Sequence, residues 1–556
     1  MRFQSSSGSL AGRSVWRIAL WCACAVGLFG MVGLLYLASV HSLPPSSDGA
    51  TVVLEGKAMS SGNLTLNHWA LSLDSFWLVD VPVYAIAVLI GGVHNQLLNL
   101  VPAIVATAVV ATGAWIAWRG HSRWAGVFAA GTVVTILGLP THAFSGYFLL
   151  GPLHVTTTLW CLAAFVALRR GRFGWGWAAA VVLLAAGLLG DFQTLVLGVA
   201  PIGLAGLVGA RRARRWLAAV PALAAALSSF VLAEVVRRIA RLIGTFTIAP
   251  ANPRAPFHQM IQNFYHVFTF GAALEDVKPG VFGPPAVPHV LQLAHAVGLA
   301  VGAVAIVLGL VSVVSSVVTG AALHVPGEPR GWDSREALWF EDVLVFGFLA
   351  GCGTFVWLSF DSSIAFARYL NAAVIFGAIL AGCLVGKIAE LTRERWSRAL
   401  LTGVAALVVA GCASTFVTSV TMAPPVQPVS QLASYLEAHH FTKGIGDYWS
   451  ASIVTVVSSD AVVVRPVTTL FGGQQIGRYL RQSSSSWYGG GFEFLVYNAA
   501  APWDDVEAQS ALASFGPPRH VAVVGNYRVL TWAHDLTIRT DGSFAPQPWA
   551  HPHQAG

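Results

Sequence analysis

Eleven apolar runs of roughly bilayer-crossing length lie between residues 18 and 421 of a chain of 556 residues. They fall at about 18–40, 97–118, 124–140, 155–168, 174–190, 192–210, 216–233, 289–318, 340–360, 369–386 and 399–421. A hydrocarbon core of about 30 Å takes roughly 20 apolar helical residues. Lipid offers the backbone no hydrogen-bond partners, so such runs must become helices. With 55% hydrophobic and 10% charged residues, too little charge remains to cover a soluble fold of this size. The expected fold class is an all-α polytopic membrane domain of about 11 transmembrane helices, followed by a small C-terminal α/β domain outside the cytoplasm.

Basic residues set the registration. With the N-terminus in the cytoplasm and the runs alternating, eighteen of the twenty-five Lys and Arg residues before Met422 fall on the cytoplasmic side. The run at Phe76–Gly92 is interrupted by Asp80 and Pro82. Counting it as a full span would put every later basic cluster outside, so it reads as an interfacial or re-entrant helix. The N-terminus resembles a signal peptide, but its apolar run of about 23 residues is long enough to span, and it reads as a retained first helix. All six cysteines lie in apolar runs, with no disulfide or zinc spacing.

The expected organisation is a membrane domain over residues 1–421, with long outer loops at 41–95 and 234–288. A second domain covers 422–545, and a flexible tail 546–556. In the second domain "SQLASYLEAHHF" has helical spacing. "IVTVVSS", "AVVVRPV", "HVAVVGN" and "YRVLTWAH" read as short strands. Its Gly-rich loops match no phosphate-binding fingerprint. From Met422 onward seven basic residues face nine acidic ones, so the membrane domain carries the positive excess. That excess follows from loop topology, and nucleic acid is not an expected partner.

The polar residues available for chemistry gather in the outer loops. Asp48 follows the first run, dry on one side and wet on the other, where a carboxylate can act as a general base. Its Asp-Gly dipeptide is equally a turn signal. Glu55, Asp74 and Asp80 lie on the same side. Asp80, within "WLVDVPVY", is an ionisable group among apolar neighbours and so a functional candidate, or the N-cap of the helix after it. His142 and His154 bracket the second outer loop, and a metal there needs help from Asp48 or Asp191. Asp191 is a tight turn between two runs, or a cavity residue that positions a substrate hydroxyl. Arg237, Arg238 and Arg241 stand outside against the charge rule, as does Arg368 beside Tyr369. Guanidinium groups match phosphate oxygens, and they also snorkel to lipid headgroups. Tyr448-Trp449 offers a face for stacking on a sugar, although packing is the commoner use.

The layout of one span, a large outer loop with an early Asp and an interfacial helix, a multi-span body and an outer C-terminal domain resembles the GT-C class of membrane glycosyltransferases. It is most similar to the bacterial, actinobacterial-type members that use polyprenyl-phosphate-linked sugars. The segments carrying the resemblance are Ser47–Tyr84, "GDFQTLVLGVAP" (Gly190–Pro201), "ARYLNAAVIFGAIL" (Ala367–Leu380) and "FTKGIGDYWSASIVTVVSSDAVVVRPV". The resemblance implies a hexosyl- or pentosyltransferase acting on the outer face of the plasma membrane, with a polyprenyl-phosphate-sugar donor, membrane lipid and a glycan or lipid acceptor as partners. It places the class's first-loop aspartate, the catalytic base or metal-orienting acid, at Asp48, with Asp80 as a second catalytic candidate. Glu55, His142, His154, Asp191, Arg237, Arg238, Arg241, Arg368 and Tyr369 are the expected substrate-binding residues. The class often carries an acid in the second outer loop. Here that loop has only His142 and His154, so the cofactor stays unassigned, with a divalent cation as the candidate. Two other readings fit the composition. A lipid or polysaccharide flippase would show internal repeats and midplane charges. A non-catalytic envelope-assembly protein would bind a partner through its C-terminal domain.

Overall fold

The computed structural model describes residues 8–42, 44–152, 154–170, 172–248, 254–277, 289–320, 334–358, 364–470, 475–500 and 506–538. The expected tail at 546–556 lies outside them. Each of the eleven apolar runs is helical over most of its described residues. In chain order the membrane part comprises α1 (Gly8–Ser42), α2 (Ser47–Ser60), α3 (Val81–Gly91), α4 (Leu97–Trp118), α5 (Arg123–Gly138), α6 (His142–Phe148), α7 (Val155–Leu168), α8 (Trp175–Gly190), α9 (Ala200–Arg212), α10 (Val220–Ile243), α11 (Phe257–Leu274), α12 (His289–Thr319), α13 (Ser334–Trp357), α14 (Asn371–Leu391) and α15 (Arg395–Thr421).

Among the described residues, eight helices are long and apolar enough to cross a membrane. The pair α5 and α6, bent by 83° at Leu139–Thr141, makes a ninth if taken as one span. The expected eleven therefore divide. α7 has 14 residues and α8 has 16, about 21 and 24 Å of helix, short of a full hydrocarbon core. These two pack on each other, and their polar ends, at His154 and Asp191, are buried. The interrupted run at Phe76–Gly92 forms α3, whose 11 residues are too few to span. It lies against α2 with helix backbones nearly touching, because Gly56 presents no side chain there.

The C-terminal part contains α16 (Pro428–Ala438), α17 (Tyr448–Val457) and α18 (Ala508–Phe515). Its six-stranded mixed sheet has the order β5-β4-β3-β7-β9-β8. The strands are β3 (Lys443–Gly446), β4 (Val463–Leu470), β5 (Gln475–Arg478), β7 (Phe492–Asn498), β8 (His520–Val524) and β9 (Tyr527–Leu536). β3 runs parallel to β4 and β7, and the other pairs are antiparallel. One expectation is overturned here. "IVTVVSS" is not a strand but lies almost wholly in α17. Its β-branched residues favour a strand locally, yet Asp447 caps the helix by accepting from the Ser450 amide. Ile453, Val454 and Val456 are buried in the core that joins α17 to α2. Tertiary packing outweighs propensity.

That core is continuous across the two parts, taking in α2 and α3 from the first loop and α16, α17, β4 and β7 from the C-terminal domain. A small second sheet adds to it: β1 (Trp69–Leu71) pairs with β2 (Thr247–Ile248) on one side and with β6 (Ser483–Ser484) on the other. The C-terminal domain is thus docked on the end of the helix bundle formed by the first loop.

Candidate functional site

Where the first turn of α2, the 72–80 loop, the start of α7 and the end of α8 meet, five acidic side chains collect. The loop is held by its backbone: Phe76 donates its amide to the Gly190 carbonyl at 2.6 Å, and Ser75 donates its hydroxyl to the Leu189 carbonyl at 3.3 Å. This brings Asp74 beside Asp191. His154 precedes α7 in the left-handed region, with φ 65, and its Nδ1 lies 2.7 Å from Asp191 Oδ2. Thr157 donates to the same oxygen, and the Gln193 amide donates to Oδ1 at 2.8 Å. One turn of α7 therefore serves two acids, because the adjacent Thr156 donates to Asp80 Oδ1 at 2.5 Å.

Burial dominates the electrostatics of Asp74 and Asp80, and the neighbouring His154 opposes it only in part. Burial, reinforced by the charge of Asp191, raises Asp74 to about 7. Burial likewise raises Asp80 to about 7 against the opposing bond from Thr156. Burial, with Asp80 and Asp48 nearby, holds Glu55 well above the usual carboxylate range. Asp191 and His154 differ because they face each other. Burial acts upward on Asp191, but the imidazole and its hydrogen bonds keep it below its ordinary value. Burial acts downward on His154, and the Asp191 carboxylate carries it above. The result is a buried Asp191–His154 ion pair beside three acids, Asp74, Asp80 and Glu55, whose carboxyls burial holds above the usual range.

Ligand atoms of Asp74, His154 and Asp191 lie within 4.8 Å of one another. Two carboxylates and an imidazole suit a divalent cation, and they are the residues that would hold one. Asp74 is half-buried and Asp191 and His154 are buried, so Asp74 forms the open side.

Asp48 stands in the first turn of α2, behind the cap formed by Ser46. Its carboxylate is half-buried. Oδ1 accepts from the Tyr448 hydroxyl at 2.5 Å, and Oδ2 has no hydrogen-bond partner among the described residues. Arg368, in the short helix Ile364–Leu370, lies within charge range of Asp48 and Tyr147. Its guanidinium lies 5.5 Å from the ring centre of Tyr369, and the Tyr369 ring is 5.2 Å from that of His154. Asp48, Arg368, Tyr369, His154 and Asp191 therefore belong to one cluster, joined by Asp74.

The other expected residues are placed differently. Glu55 and Asp80 are 1% and 3% exposed, behind the cluster rather than lining it. Asp80 makes no side-chain cap to α3. Its Oδ2 and the Tyr84 hydroxyl, both unpartnered, line a narrow cleft with Pro102, Phe148 and Thr156. His142 is half-buried at the start of α6. On α10, Glu234 accepts from Arg237 at 2.7 Å and from Arg238 at 3.1 Å, and Arg241 is exposed. These three arginines do not bond to the cluster. Sequence reasoning missed Thr156 and Thr157, although three consecutive threonines opening an apolar helix were a visible signal. It also missed Gln482, and it read Tyr448 as a stacking or packing residue rather than a partner of Asp48.

No family model matches the chain, and no curated protein matches it. Among solved structures it is similar to the oligosaccharyltransferase of Archaeoglobus fulgidus in complex with Zn and sulfate. The identity is 11%, over 84% of this chain and 68% of that one, with a TM-score of 0.45. It is also similar to ArnT from Cupriavidus metallidurans in the apo state, with 13% identity over 93% and 98% of the two chains and a TM-score of 0.39. For ArnT bound to undecaprenyl phosphate the values are 12%, 91%, 98% and 0.37.

Proposed function

We propose that this chain is a GT-C-type membrane glycosyltransferase that moves a hexosyl or pentosyl group from a polyprenyl-phosphate donor to a glycan or lipid acceptor in the cell envelope. The observation that carries the reading is Asp48: a half-buried carboxylate, held at one oxygen and open at the other, within charge range of Arg368. Asp48 Oδ2 takes the proton of the acceptor hydroxyl. The acceptor oxygen attacks the anomeric carbon, and the bond from this carbon to the phosphate oxygen breaks. Negative charge grows on the departing polyprenyl phosphate, and the half-buried guanidinium of Arg368 stabilises it. Asp74, His154 and Asp191 would hold a divalent cation, which would supply positive charge against the charge developing on the leaving group. Arg237 and Arg238 already share Glu234, so with Arg241 they are assigned to headgroup phosphates at the membrane surface. The C-terminal domain lies outside the cytoplasm and the N-terminus within it, a reading supported by the distribution of Lys and Arg along the chain.

The test uses the purified full chain with short-chain polyprenyl-phosphate hexoses and pentoses and an envelope glycan extract. Asp48→Asn is expected to lower transfer by at least about 10²-fold while the protein folds and inserts normally. Undiminished transfer by that variant removes Asp48 from the chemistry.

A further inference from the structure

The first turns of α2 and α17 are stapled together by side chains. Ser47 donates its hydroxyl to the Trp449 carbonyl at 2.6 Å, Tyr448 donates to Asp48, and Thr51 donates to Ser452 Oγ at 3.0 Å. Tyr448 is 6% exposed, and its ring stacks on Tyr479 with centroids 4.8 Å apart and planes at 22°. The same hydroxyl also lies against the Gln482 side-chain amide. A phenol has one proton, so it cannot donate to both Asp48 and a Gln482 oxygen. Gln482 Oε1 is the atom set against the hydroxyl; turning the amide over would put its nitrogen there and leave the phenolic proton for Asp48. Amide orientation is assigned from such networks. Gln482 has φ 49, a left-handed conformation unfavourable for a residue with a side chain. Strain of this kind persists where the surroundings fix it, and it collects at working sites. His154 and Phe76, at the neighbouring cluster, share it with φ 65 and 53.

From this geometry we infer that the C-terminal domain orients the reactive carboxylate. A relay from the Gln482 amide through the Tyr448 phenol fixes Asp48 Oδ1, so that Oδ2 faces the acceptor hydroxyl. Tyr448 and Gln482 are positioning residues, and the inference rests on the glycosyl-transfer reading of Asp48. The C-terminal domain thereby becomes part of the active centre rather than an appended binding module.

The experiment compares the full chain with Tyr448→Phe, Gln482→Ala, Gln482→Glu and Asp48→Asn under the same transfer assay. Tyr448→Phe is expected to lower kcat by about 10- to 100-fold, the effect of losing a hydrogen bond to a charged group, with both KM values within about twofold. Gln482→Glu sets a second acceptor against the phenol and draws its proton from Asp48, so it is expected to lose as much as Tyr448→Phe. Gln482→Ala is expected to lose less. A purely structural role would not give that order. Gln482 is half-exposed, so its variants keep the test usable if Tyr448→Phe does not fold. Full kcat in both Tyr448→Phe and Gln482→Glu, or a rise in KM alone, overturns the positioning role. If Asp48→Asn is inactive while those variants are unaffected, only this inference falls. If Asp48→Asn is itself fully active, the glycosyl-transfer reading falls with it.

Discussion

Asp80 shows what a single buried acid does to the whole protein. Its carboxyl is 3% exposed and accepts one hydrogen bond, while its second oxygen has none. A carboxyl raised by burial to about 7 favours folding only while protonated. That stability is complete below about pH 4, the unfolded value, and is lost as pH rises towards 7, where the folded form ionises. Asp80→Asn keeps the acceptor for Thr156 and removes the charge. The variant is expected to be more stable than the parent at pH 8, by roughly 4 kcal/mol at most, and so to melt higher there, but at the same temperature near pH 4. Thermal unfolding in detergent across that range measures it, and a lower melting temperature at pH 8 would contradict this account of Asp80. The acids of the site were legible because ionisable residues stand out among apolar ones. Their roles were not. Asp48 and Asp80 carry the same group, and only packing leaves one half-exposed beside Arg368 and the other sealed behind it. Tyr448 was harder still, since nothing in a sequence shows that its partner lies 400 residues away.

The helices were legible as elements because lipid leaves the backbone no other solution, yet their contacts were not. α2 and α3 cross so closely at Gly56 that a Cβ there would stand 2.8 Å from the Ala85 nitrogen and 2.9 Å from the Tyr84 carbonyl carbon. Both are backbone atoms, which cannot swing aside as a side chain can. Gly56→Ala must therefore push α3 off α2, although alanine is the better helix former. Overpacking of this sort costs about 1–3 kcal/mol, and the expected outcome is a melting temperature lower by on the order of 5 °C. An unchanged or higher value would mean that the crossing relaxes freely. α17 teaches the converse lesson. Its Ile-Val-Thr-Val-Val run has the composition of a strand, and the helix prevails because Asp447 caps its start and because its apolar side chains are buried towards α2, the β-sheet and α16. Local propensity was readable from the residues, and the partner that overrules it was not.

At the scale of the molecule, the six-stranded sheet and its helices follow the change of texture after Thr421, but that change says nothing of where they dock. Apolar side chains on α2 and on α17 do not announce which surface they will meet, and only the fold joins them into one core. That joint makes a prediction about motion. If the C-terminal domain orients Asp48, it must stay on α2 through the catalytic cycle. Thr51 and Ser452 are both fully buried at the joint and face each other, with hydroxyl oxygens hydrogen-bonded at 3.0 Å. All six native cysteines precede residue 413, in the apolar helices, so none in the C-terminal domain competes for pairing. Thr51→Cys with Ser452→Cys is expected to oxidise to a cross-link, raise the melting temperature by constraining the unfolded chain, and leave transfer within about twofold. A cross-linked protein that is inactive, and regains transfer on reduction, would instead show that the domain lifts from α2 at each turnover. In that case Tyr448 would meet Asp48 only in the closed phase of the cycle.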